Sequence, residues 1–413
     1  MKKILIISEP FYPQIAAIGQ LLTDLSEDLI KAGYQVRVVT GNPKYTCDKN
    51  NKIPRREIYK GIEIIRLYNT VFKKYRMTGR VLNYLTFHFF VFFQALFHVK
   101  PDLVFVLSTP PFISLSGLIL KVFKGSKVIY NVQDLFPDLA VELGELKNKL
   151  FIKFLKKLSK LIIRKVDKVI VVGEYMEKKT GEELLKETSK NNHIITIHNW
   201  ADGDKIKVLR GDIEDNFLRK KWGLEGKFVV LYSGNIGYLH EFDTIISAAD
   251  FLAKEELKEI IFVFIGEGIK KNYIKEKIRQ KRLSNVLLFP YQSYEILNYS
   301  LGIASVSLVT LEKGFEGMVV PSKIYGILAS GKPVVAVVGG KSEIVEIIEK
   351  GQCGKIVKIG DYQALVKCIK SYYENPTKCS EDGLNGRRYF EKNYDRKIAT
   401  RKYIEVIKEI LKT

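Results

Sequence analysis

The chain has 413 residues and is 46% hydrophobic, the content of a globular protein, which allows two domains of about 200 residues. Its net charge is +21, and residues 1–200 hold 32 basic and 18 acidic side chains, which indicates an anionic partner (nucleic acid, phosphorylated substrate or acidic membrane) or a lysine-rich soluble surface. None of the four cysteines forms a CxxC pair, so their spacing suits neither a zinc site nor a disulfide framework.

Apolar β-branched runs alternate with helical patterns along the whole chain. The N-terminal MKKILIISEPFYP predicts a first strand rather than a signal peptide. The predicted strands are Lys3–Ser8, Gln35–Thr40, Asp102–Leu107, Lys127–Asn131, Lys168–Val172, Phe228–Ser233, Ile261–Ile265, Asn285–Phe289, Ala304–Val309 and Pro333–Val338. Continuous apolar strands between helices predict parallel sheets built from βαβ units. The sequence thus predicts an α/β chain with two doubly wound, Rossmann-like domains facing a cleft.

Two segments predict contact with a membrane. Residues 81–99 hold no charged residue, yet polar side chains recur at helical spacing, which predicts an in-domain helix, buried or partly dipped into lipid, rather than a membrane span. Residues 147–165 combine an apolar stripe with lysines and predict a helix on a membrane surface, the alternative being a solvated helix that packs its leucine stripe on the sheet. The basic, amphipathic segment 397–412 predicts a last helix.

Ligands of open α/β sheets bind beyond the carboxyl ends of the strands, so the loops there are the candidate site. Gly234 and Gly237, in YSGNIGYLHEFD, allow backbone N–H groups to approach a phosphate, although a simple strand-to-helix turn is the alternative. Lys323 begins another helix, where its ammonium could meet the same diphosphate. The loop FIGEG contributes Gly266, and LFPYQS places Phe289 and Tyr291 as a wall for a nucleobase or as core residues.

The order of these segments resembles the family 4 glycosyltransferases, which have the GT-B architecture. The resemblance rests on YSGNIG…HEFDTI…AA, FVFIGEG, NVLLFPYQ, ASVSLVTL, EGMVVPSKIYG…ASGKPVVAV and GQCGKIV, and in the first half on FYP…IGQLLTDLSEDLIKAGYQVRVVT. QDLFPD and IHNWAD are similar to the branch that contains N-acetyl-L-fucosamine and fucose transferases of capsule, O-antigen and colanic-acid-type exopolysaccharide synthesis. The resemblance covers nearly the whole chain.

The resemblance implies retaining transfer of a hexose or amino-deoxyhexose from a nucleotide diphosphate sugar, UDP in preference to GDP. It implies no cofactor and no metal, and no Asp-x-Asp stands where one would be expected to chelate manganese. The leaving diphosphate serves as the base, so the protein supplies cations and N–H dipoles. Family members place Arg and Lys where this chain has Asn235 and His240; the cation therefore falls to Lys323, and both replaced positions stay in the predicted donor site.

Two family glutamates are also missing, at Met318 and Gly326. Glu316 is the nearest carboxylate and is expected to contact the hydroxyls of the donor sugar. The ribose of the donor is then expected to be bound by the backbone or by one of three side chains, and the sequence does not distinguish among these possibilities. These side chains are Ser322, Glu343 and Glu346.

In the first half, Gly19 is expected to let the chain approach the donor phosphates. Asp134, in QDLFPD, is expected either to orient the acceptor hydroxyl or to cap the next helix. Asp138 is a weaker carboxylate candidate. The predicted catalytic set is thus Glu316, Asp134 and Lys323.

The predicted domains are an acceptor-binding domain at 1–200, a donor-binding domain at 201–395 and a helix at 396–413 that crosses back to the first domain. The expected acceptor is a lipid-diphosphate-linked saccharide, at the cytoplasmic, inner face of the cell membrane. A nicotinamide dehydrogenase is excluded because no G-x-G-x-x-G follows the first strand. A catalytically silent relative and a basic protein that binds nucleic acid or membrane surfaces remain as alternatives.

Overall fold

The computed structural model describes residues 1–14, 16–42, 53–70, 72, 77–98, 100–184, 193–209 and 213–412. These residues divide into two compact units. Unit 1 comprises Met1–His198, Gly317–Val319 and Ala399–Thr413, and unit 2 comprises Asn199–Glu316 and Val320–Ile398. Cys47 lies outside the described residues, and the other three cysteines are free thiols.

Unit 1 is built on an eight-stranded sheet. Its strands are β1 (Lys3–Ile7), β2 (Gln35–Thr40), β3 (Arg56–Tyr59), β4 (Ile62–Arg66), β5 (Leu103–Leu107), β6 (Lys127–Val132), β7 (Lys168–Val171) and β8 (Ile194–Thr196). Its helices are α1 (Ala17–Lys31), α2 (Met77–His98), α3 (Ser114–Lys124), α4 (Asp138–Glu142), α5 (Lys149–Lys165) and α6 (Glu174–Leu184). The strand order is β3-β4-β2-β1-β5-β6-β7-β8, and all neighbours are parallel except β3 and β4.

Unit 2 is built on a six-stranded, wholly parallel sheet. Its strands are β9 (Phe228–Ser233), β10 (Ile260–Ile265), β11 (Val286–Phe289), β12 (Val306–Thr310), β13 (Val334–Val338) and β14 (Gly354–Lys358), in the order β11-β10-β9-β12-β13-β14. Its helices are α7 (Phe217–Lys221), α8 (Asp243–Lys254), α9 (Lys271–Lys281), α10 (Leu297–Gly302), α11 (Lys323–Ala329), α12 (Glu343–Gly351), α13 (Tyr362–Tyr373) and α14 (Pro376–Asn393), with short 3-10 turns at Ile213–Asp215 and Tyr294–Ile296.

The predicted doubly wound α/β architecture is confirmed, and every predicted strand is present. Its central strands, such as β5 and β13, are buried throughout, which accounts for their uninterrupted apolar sequences. The short strands β3, β4, β8 and β14 were not predicted; of these, β3, β8 and β14 lie at the sheet edges, and these three are only partly buried.

The last helix is α15 (Arg396–Lys412), and most of it belongs to unit 1. The ring of Tyr403 lies 5.8 Å from that of Phe105 on β5, and its hydroxyl accepts a hydrogen bond from the Asn131 amide at 2.8 Å. These contacts attach α15 to the sheet of unit 1.

The segment predicted at 81–99 forms α2, and within the described ranges no helix has both the length and the apolarity needed to cross a membrane. Its inner face is polar in part: Asn83 is buried and accepts a hydrogen bond from Thr70. Both ring nitrogens of His88 lie near backbone carbonyls, those of Tyr84 and Pro111. The polar residues of this segment therefore attach α2 to the rest of unit 1.

Candidate donor site

The loops after β9 and β10 meet backbone to backbone at the carboxyl edge of the unit 2 sheet. The Gly234 N–H donates to the Ile265 carbonyl at 2.9 Å, and the Gly266 N–H donates to the Phe289 carbonyl at 3.0 Å. A Cβ atom at Gly266 would lie 1.9 Å from the Gly234 carbonyl oxygen. Glycine is therefore required at position 266 by the close approach of the two loops.

Lys323, the first residue of α11, lies above this edge. Its Nζ atom donates a hydrogen bond to the Tyr232 hydroxyl and lies 3.9 Å from the centre of the Tyr232 ring. A Cβ atom at Gly234 would contact Lys323 Cε at 3.3 Å, so bare backbone lies beside the lysine. Burial lowers the pKa of Lys323 well below its ordinary value, and no carboxylate in the described ranges forms an ion pair with it.

His240 is buried in the same cluster, with 8% of its surface exposed. Its Nδ1 atom has no hydrogen-bond partner among the described residues. Burial lowers the pKa of His240 well below 6.5, and the positive charges of Lys323 and Lys270 lower it further. The imidazole is therefore neutral near pH 7, and its Nδ1 atom is buried without a partner among the described residues.

Lys270 is one of two residues of this cluster that the sequence did not predict. Its ammonium donates to the His240 carbonyl oxygen at 2.7 Å and to Glu312 Oε1 at 2.6 Å. Glu312 follows β12, and its N–H bonds to the Leu239 carbonyl at 2.9 Å. The available signal was the position of Lys270 in the loop after β10, but a single lysine in a loop does not distinguish a site residue from a surface residue.

Tyr232 was also missed, since it belongs to the apolar run of β9. Its hydroxyl donates to the Asn235 carbonyl at 2.6 Å while it accepts from Lys323. A Cβ atom at Gly237 would lie 2.7 Å from Asn235 Nδ2, so the Asn235 side chain folds over Gly237. Tyr232 therefore connects the predicted loop residues to Lys323.

The two predicted aromatic residues have different surroundings. Phe289 stacks on Trp222, with ring centres 3.9 Å apart and planes at 13°, so one of its faces is covered. Tyr291 is partly exposed, and it lies close enough to Tyr232 to add to the burial that raises the pKa of Tyr232. Of the two rings, Tyr291 belongs to the Lys323 cluster.

Glu316 and Ser322 lie on the segment between β12 and α11. Glu316 Oε2 accepts the Gly314 N–H at 2.8 Å, and a Cβ atom at Gly339 would lie 2.6 Å from Glu316 Oε1. Ser322 precedes α11 without a side-chain capping bond. Glu316 thus contacts its own loop and the end of β13, and Ser322 is adjacent to Lys323 in the chain.

The positions considered for the ribose are separated. Glu343 is buried in the first turn of α12. Burial is the main cause of the raised pKa of Tyr394, and the nearby Glu343 carboxylate contributes to it. Glu346 forms an ion pair with Lys350 at 3.0 Å. A Cβ atom at Gly326 would contact the apolar side chains of Leu301 and Ile206. The structure brings neither glutamate into contact with Lys323.

In unit 1, Gly19 is buried near the start of α1. A Cβ atom at this position would lie 3.4 Å from the Gln14 carbonyl oxygen. Asp134 follows β6, and its N–H donates to Ser108 Oγ at 3.2 Å. Burial raises the pKa of Asp134 to about 6. The N-cap of α4 is Pro137, so the alternative that Asp134 caps this helix is wrong. Asp138 forms an ion pair with Lys156 at 2.6 Å.

Within the ranges described above, no group of three His, Cys, Asp or Glu side chains could hold a metal ion. The sequence Asp202-Gly203-Asp204 has the Asp-x-Asp pattern, but both carboxylates already have cationic partners. Asp202 pairs with Arg396 at 3.1 Å, and Asp204 pairs with Lys397 at 2.9 Å.

A second candidate surface, on unit 1, is formed by α2, α3 and α5, and we call it the α2/α3/α5 surface; α3 packs against both other helices. Leu85 of α2 is 61% exposed, Phe123 of α3 is 70% exposed, and Leu150 and Phe154 of α5 are 81% and 59% exposed. α5 has seven basic and no acidic residues. Its stripe of Leu155, Ile162 and Ile163 is buried, so the helix has one packed apolar stripe and a second, exposed one.

Comparison with known proteins shows that both parts of the chain are similar to glycosyltransferases. Residues 18–205 match the model described as Glycosyltransferase Family 4, and residues 214–389 match the model described as Glycosyl transferases group 1. The putative colanic acid biosynthesis glycosyl transferase WcaI of Escherichia coli K12 is 27% identical over 98% of this chain and 100% of its own. The probable glycosyltransferase WbjE of Pseudomonas aeruginosa is 29% identical over 77% of this chain and 79% of its own.

Two solved structures show the fold. Sucrose-phosphate synthase from Thermosynechococcus elongatus has a TM-score of 0.74 at 16% identity and covers 99% of both chains. Anabaena HepE in complex with UDP and glucose has a TM-score of 0.73 at 16% identity, over 99% of this chain and 100% of its own. The chain therefore has the GT-B fold of these structures, and its two parts match the models of a family 4 glycosyltransferase domain and a group 1 glycosyltransferase domain.

Proposed function

We propose that the chain is a retaining, metal-independent glycosyltransferase that moves a hexose or amino-deoxyhexose from a nucleotide diphosphate sugar, UDP in preference to GDP, to a sugar acceptor. The observation that carries the proposal is the Lys323 ammonium, held by Tyr232 beside the bare backbone of Gly234. A lysine at the carboxyl edge of a parallel sheet is suited to bind a diphosphate, because ligands bind at this edge and the lysine can supply positive charge. HepE, of the same fold, was solved with UDP and glucose, which supports the choice of base.

The reaction needs no protein nucleophile. The bond between the sugar anomeric carbon and the diphosphate oxygen breaks, and the acceptor oxygen forms its bond to the same face of that carbon. The proton of the acceptor hydroxyl passes to an oxygen of the departing diphosphate. Lys323 lowers the energy of this step because its charge faces the negative charge that grows on the diphosphate.

The remaining site residues are given supporting roles. His240, neutral and with an unpaired Nδ1, hydrogen-bonds the diphosphate or the donor sugar. Lys270 positions the His240 loop through its bond to the carbonyl oxygen of that residue. Glu316 contacts the sugar hydroxyls, and Asp134 orients the acceptor hydroxyl from unit 1. The ion pairs of Asp202 and Asp204 support metal independence, since these carboxylates are already compensated.

The acceptor is proposed to be a lipid-diphosphate-linked saccharide of surface polysaccharide synthesis, in the branch that contains N-acetyl-L-fucosamine and fucose transferases. The similarity to WcaI, a putative colanic acid biosynthesis glycosyl transferase, supports the pathway class. The α2/α3/α5 surface supports the location, because exposed apolar side chains among lysines suit the anionic inner face of the cell membrane.

Donor binding is tested first by thermal shift with UDP, GDP and dTDP, with and without Mg²⁺, on wild type and Lys323→Ala. We expect UDP to raise the melting temperature without Mg²⁺ and the shift to shrink in Lys323→Ala. Lys254→Ala, at an exposed position, is the matched control. Absence of a shift with all three nucleotides would remove the donor-site proposal.

Activity is then tested with radiolabelled UDP-sugars and a lipid extract as acceptor, and NMR of the product determines whether the anomeric configuration is retained. Nucleotide binding without product from any donor would favour the catalytically silent relative. Inversion of configuration would refute the mechanism while leaving the donor site intact.

Membrane binding is tested by sedimentation with vesicles of phosphatidylglycerol and phosphatidylcholine. We expect binding to the anionic vesicles, its loss in Leu150→Ser/Phe154→Ser, and its reduction at high salt. Ile58→Ser is the matched control, because Ile58 is 79% exposed in unit 1 but lies on β3. Equal binding by the double variant and wild type would refute a role of α5.

A further inference from the structure

Lys323 has surroundings that do not favour an ammonium ion. It hydrogen-bonds a neutral phenol, and no ion pair compensates it within the described part of the chain. The cation–π contact with the Tyr232 ring offsets only part of the cost of desolvating the ammonium. By contrast Lys270, in the next loop, pairs with Glu312 at 2.6 Å. A desolvated ammonium with no counter-ion is costly, and the protein can avoid this cost by releasing the proton.

The ionisable groups around Lys323 do not supply the missing negative charge. Tyr232 on β9 and Tyr291 after β11 are phenols, and burial raises the pKa of Tyr232, which keeps it neutral. His240 is neutral because burial lowers its pKa, and Lys270 forms its own ion pair with Glu312. Burial accordingly lowers the pKa of Lys323 well below its ordinary 10.5.

We propose that the site takes up a proton on Lys323 when a nucleoside diphosphate binds. The inference rests on the proposed donor site and adds a property to it: the ligand supplies the counter-ion that the empty site lacks. A nearby negative charge favours the protonated lysine, so the bound diphosphate reverses the effect of burial. Lys323 is then neutral while the site is empty and positively charged when the leaving diphosphate must be stabilised.

The proton uptake has a defined pH window. Below the lowered pKa of the empty site, Lys323 is protonated in both states and nothing is taken up. Between that pKa and the higher pKa of the complex, up to about one proton is bound per nucleotide, and the association constant falls by up to about tenfold for each pH unit of increase. A binding step without linked protonation would be flat across this range.

The test is titration calorimetry of the full chain with UDP and with GDP at pH 8, in Tris and in HEPES, whose ionisation enthalpies differ. At this pH the second ionisation of a phosphate, near pKa 6, is complete, so the free nucleotide contributes little. We expect the measured enthalpy to differ between the buffers by the amount that up to about one proton per nucleotide requires.

Three variants assign the proton. Lys323→Arg should bind with the same enthalpy in both buffers, because arginine stays protonated. His240→Gln should keep the buffer dependence. Lys332→Met is the matched control: burial also lowers the pKa of Lys332, to about 8, but this lysine lies near Cys379 and Arg219, so its loss should leave the buffer dependence unchanged.

The outcomes separate the inference from the proposed function. Nucleotide binding by wild type with equal enthalpy in both buffers would overturn the inference and leave the donor site standing. Loss of the buffer dependence in His240→Gln, with its retention in Lys323→Arg, would move the proton to His240 and overturn the assignment. Failure of wild type to bind either nucleotide would instead remove the donor site itself.

Discussion

Replacing Lys323 by methionine should stabilise the folded protein and weaken nucleotide binding at the same time. Methionine keeps an aliphatic stem against the Tyr232 ring and removes the amino group that burial penalises. The Tyr232 hydroxyl keeps its bond to the Asn235 carbonyl, so no donor is left unpaired. Exchanging a buried charge for an apolar side chain of similar size should gain about 1 kcal/mol, which for a unit of this size raises Tm by about 2–4 °C.

The cost of this substitution should appear in the affinity. A hydrogen bond to a charged group contributes about 1.5–3 kcal/mol, so the Kd for UDP should rise by about 10- to 150-fold. The gain in stability should be smaller at high pH. Since the folded pKa of Lys323 is the lower one, wild-type stability rises with pH from that value towards 10.5.

The assays are thermal unfolding from pH 6 to pH 10 and calorimetry with UDP. Lys332→Met provides the comparison, since it should change stability in the same sense without changing the Kd. A Lys323→Met protein that is less stable than wild type, yet binds UDP with unchanged Kd, would refute the placement of Lys323 as an uncompensated diphosphate ligand.

Three further substitutions test other parts of the structure. Gly266→Ala should lower the free energy of unfolding by about 3 kcal/mol and abolish UDP binding, because the added Cβ would lie 1.9 Å from the Gly234 oxygen. An unchanged free energy in denaturation and an unchanged Kd in calorimetry would contradict this prediction. Asp134→Asn should stabilise the protein by about 2 kcal/mol at pH 7 but little at pH 4, since the penalty from the raised folded pKa grows between the ordinary pKa near 4 and the folded pKa of about 6 and is fully present above pH 6; equal gains at both pH values would exclude this cause. Tyr403→Phe should cost about 1 kcal/mol by leaving the Asn131 amide without its acceptor, and an unchanged Tm would show that α15 does not depend on this bond.

The sheets could be predicted from the sequence because their central strands are buried on both faces. A strand such as β5 is apolar at every position, and this pattern depends only on local sequence. Edge strands are different: of the five residues of β14 only Val357 is buried, so its sequence resembles that of a loop. The edge strands β3, β8 and β14 were therefore not predicted because their position at the sheet edge leaves them only partly buried.

The candidate site could be predicted only where its residues lie in recognisable loops. Gly234, Gly266 and Lys323 stand at strand ends or a helix start, and the structure brings them together. Tyr232 could not be found this way, because its role comes from a hydroxyl that reaches Lys323 from within a strand. Lys270 depends on the path of its loop towards His240, which a local pattern does not encode.

The structure also shows what surrounds the two positions at which the resemblance would place cations. The resemblance would place Arg and Lys at Asn235 and His240, on the loop after β9. In this chain Lys270, after β10, and Lys323, at the start of α11, both lie near His240. A cationic side chain at position 240 would face both lysines, and like-charge repulsion disfavours this arrangement. The neutral histidine therefore fits beside the two lysines better than a third cationic side chain would.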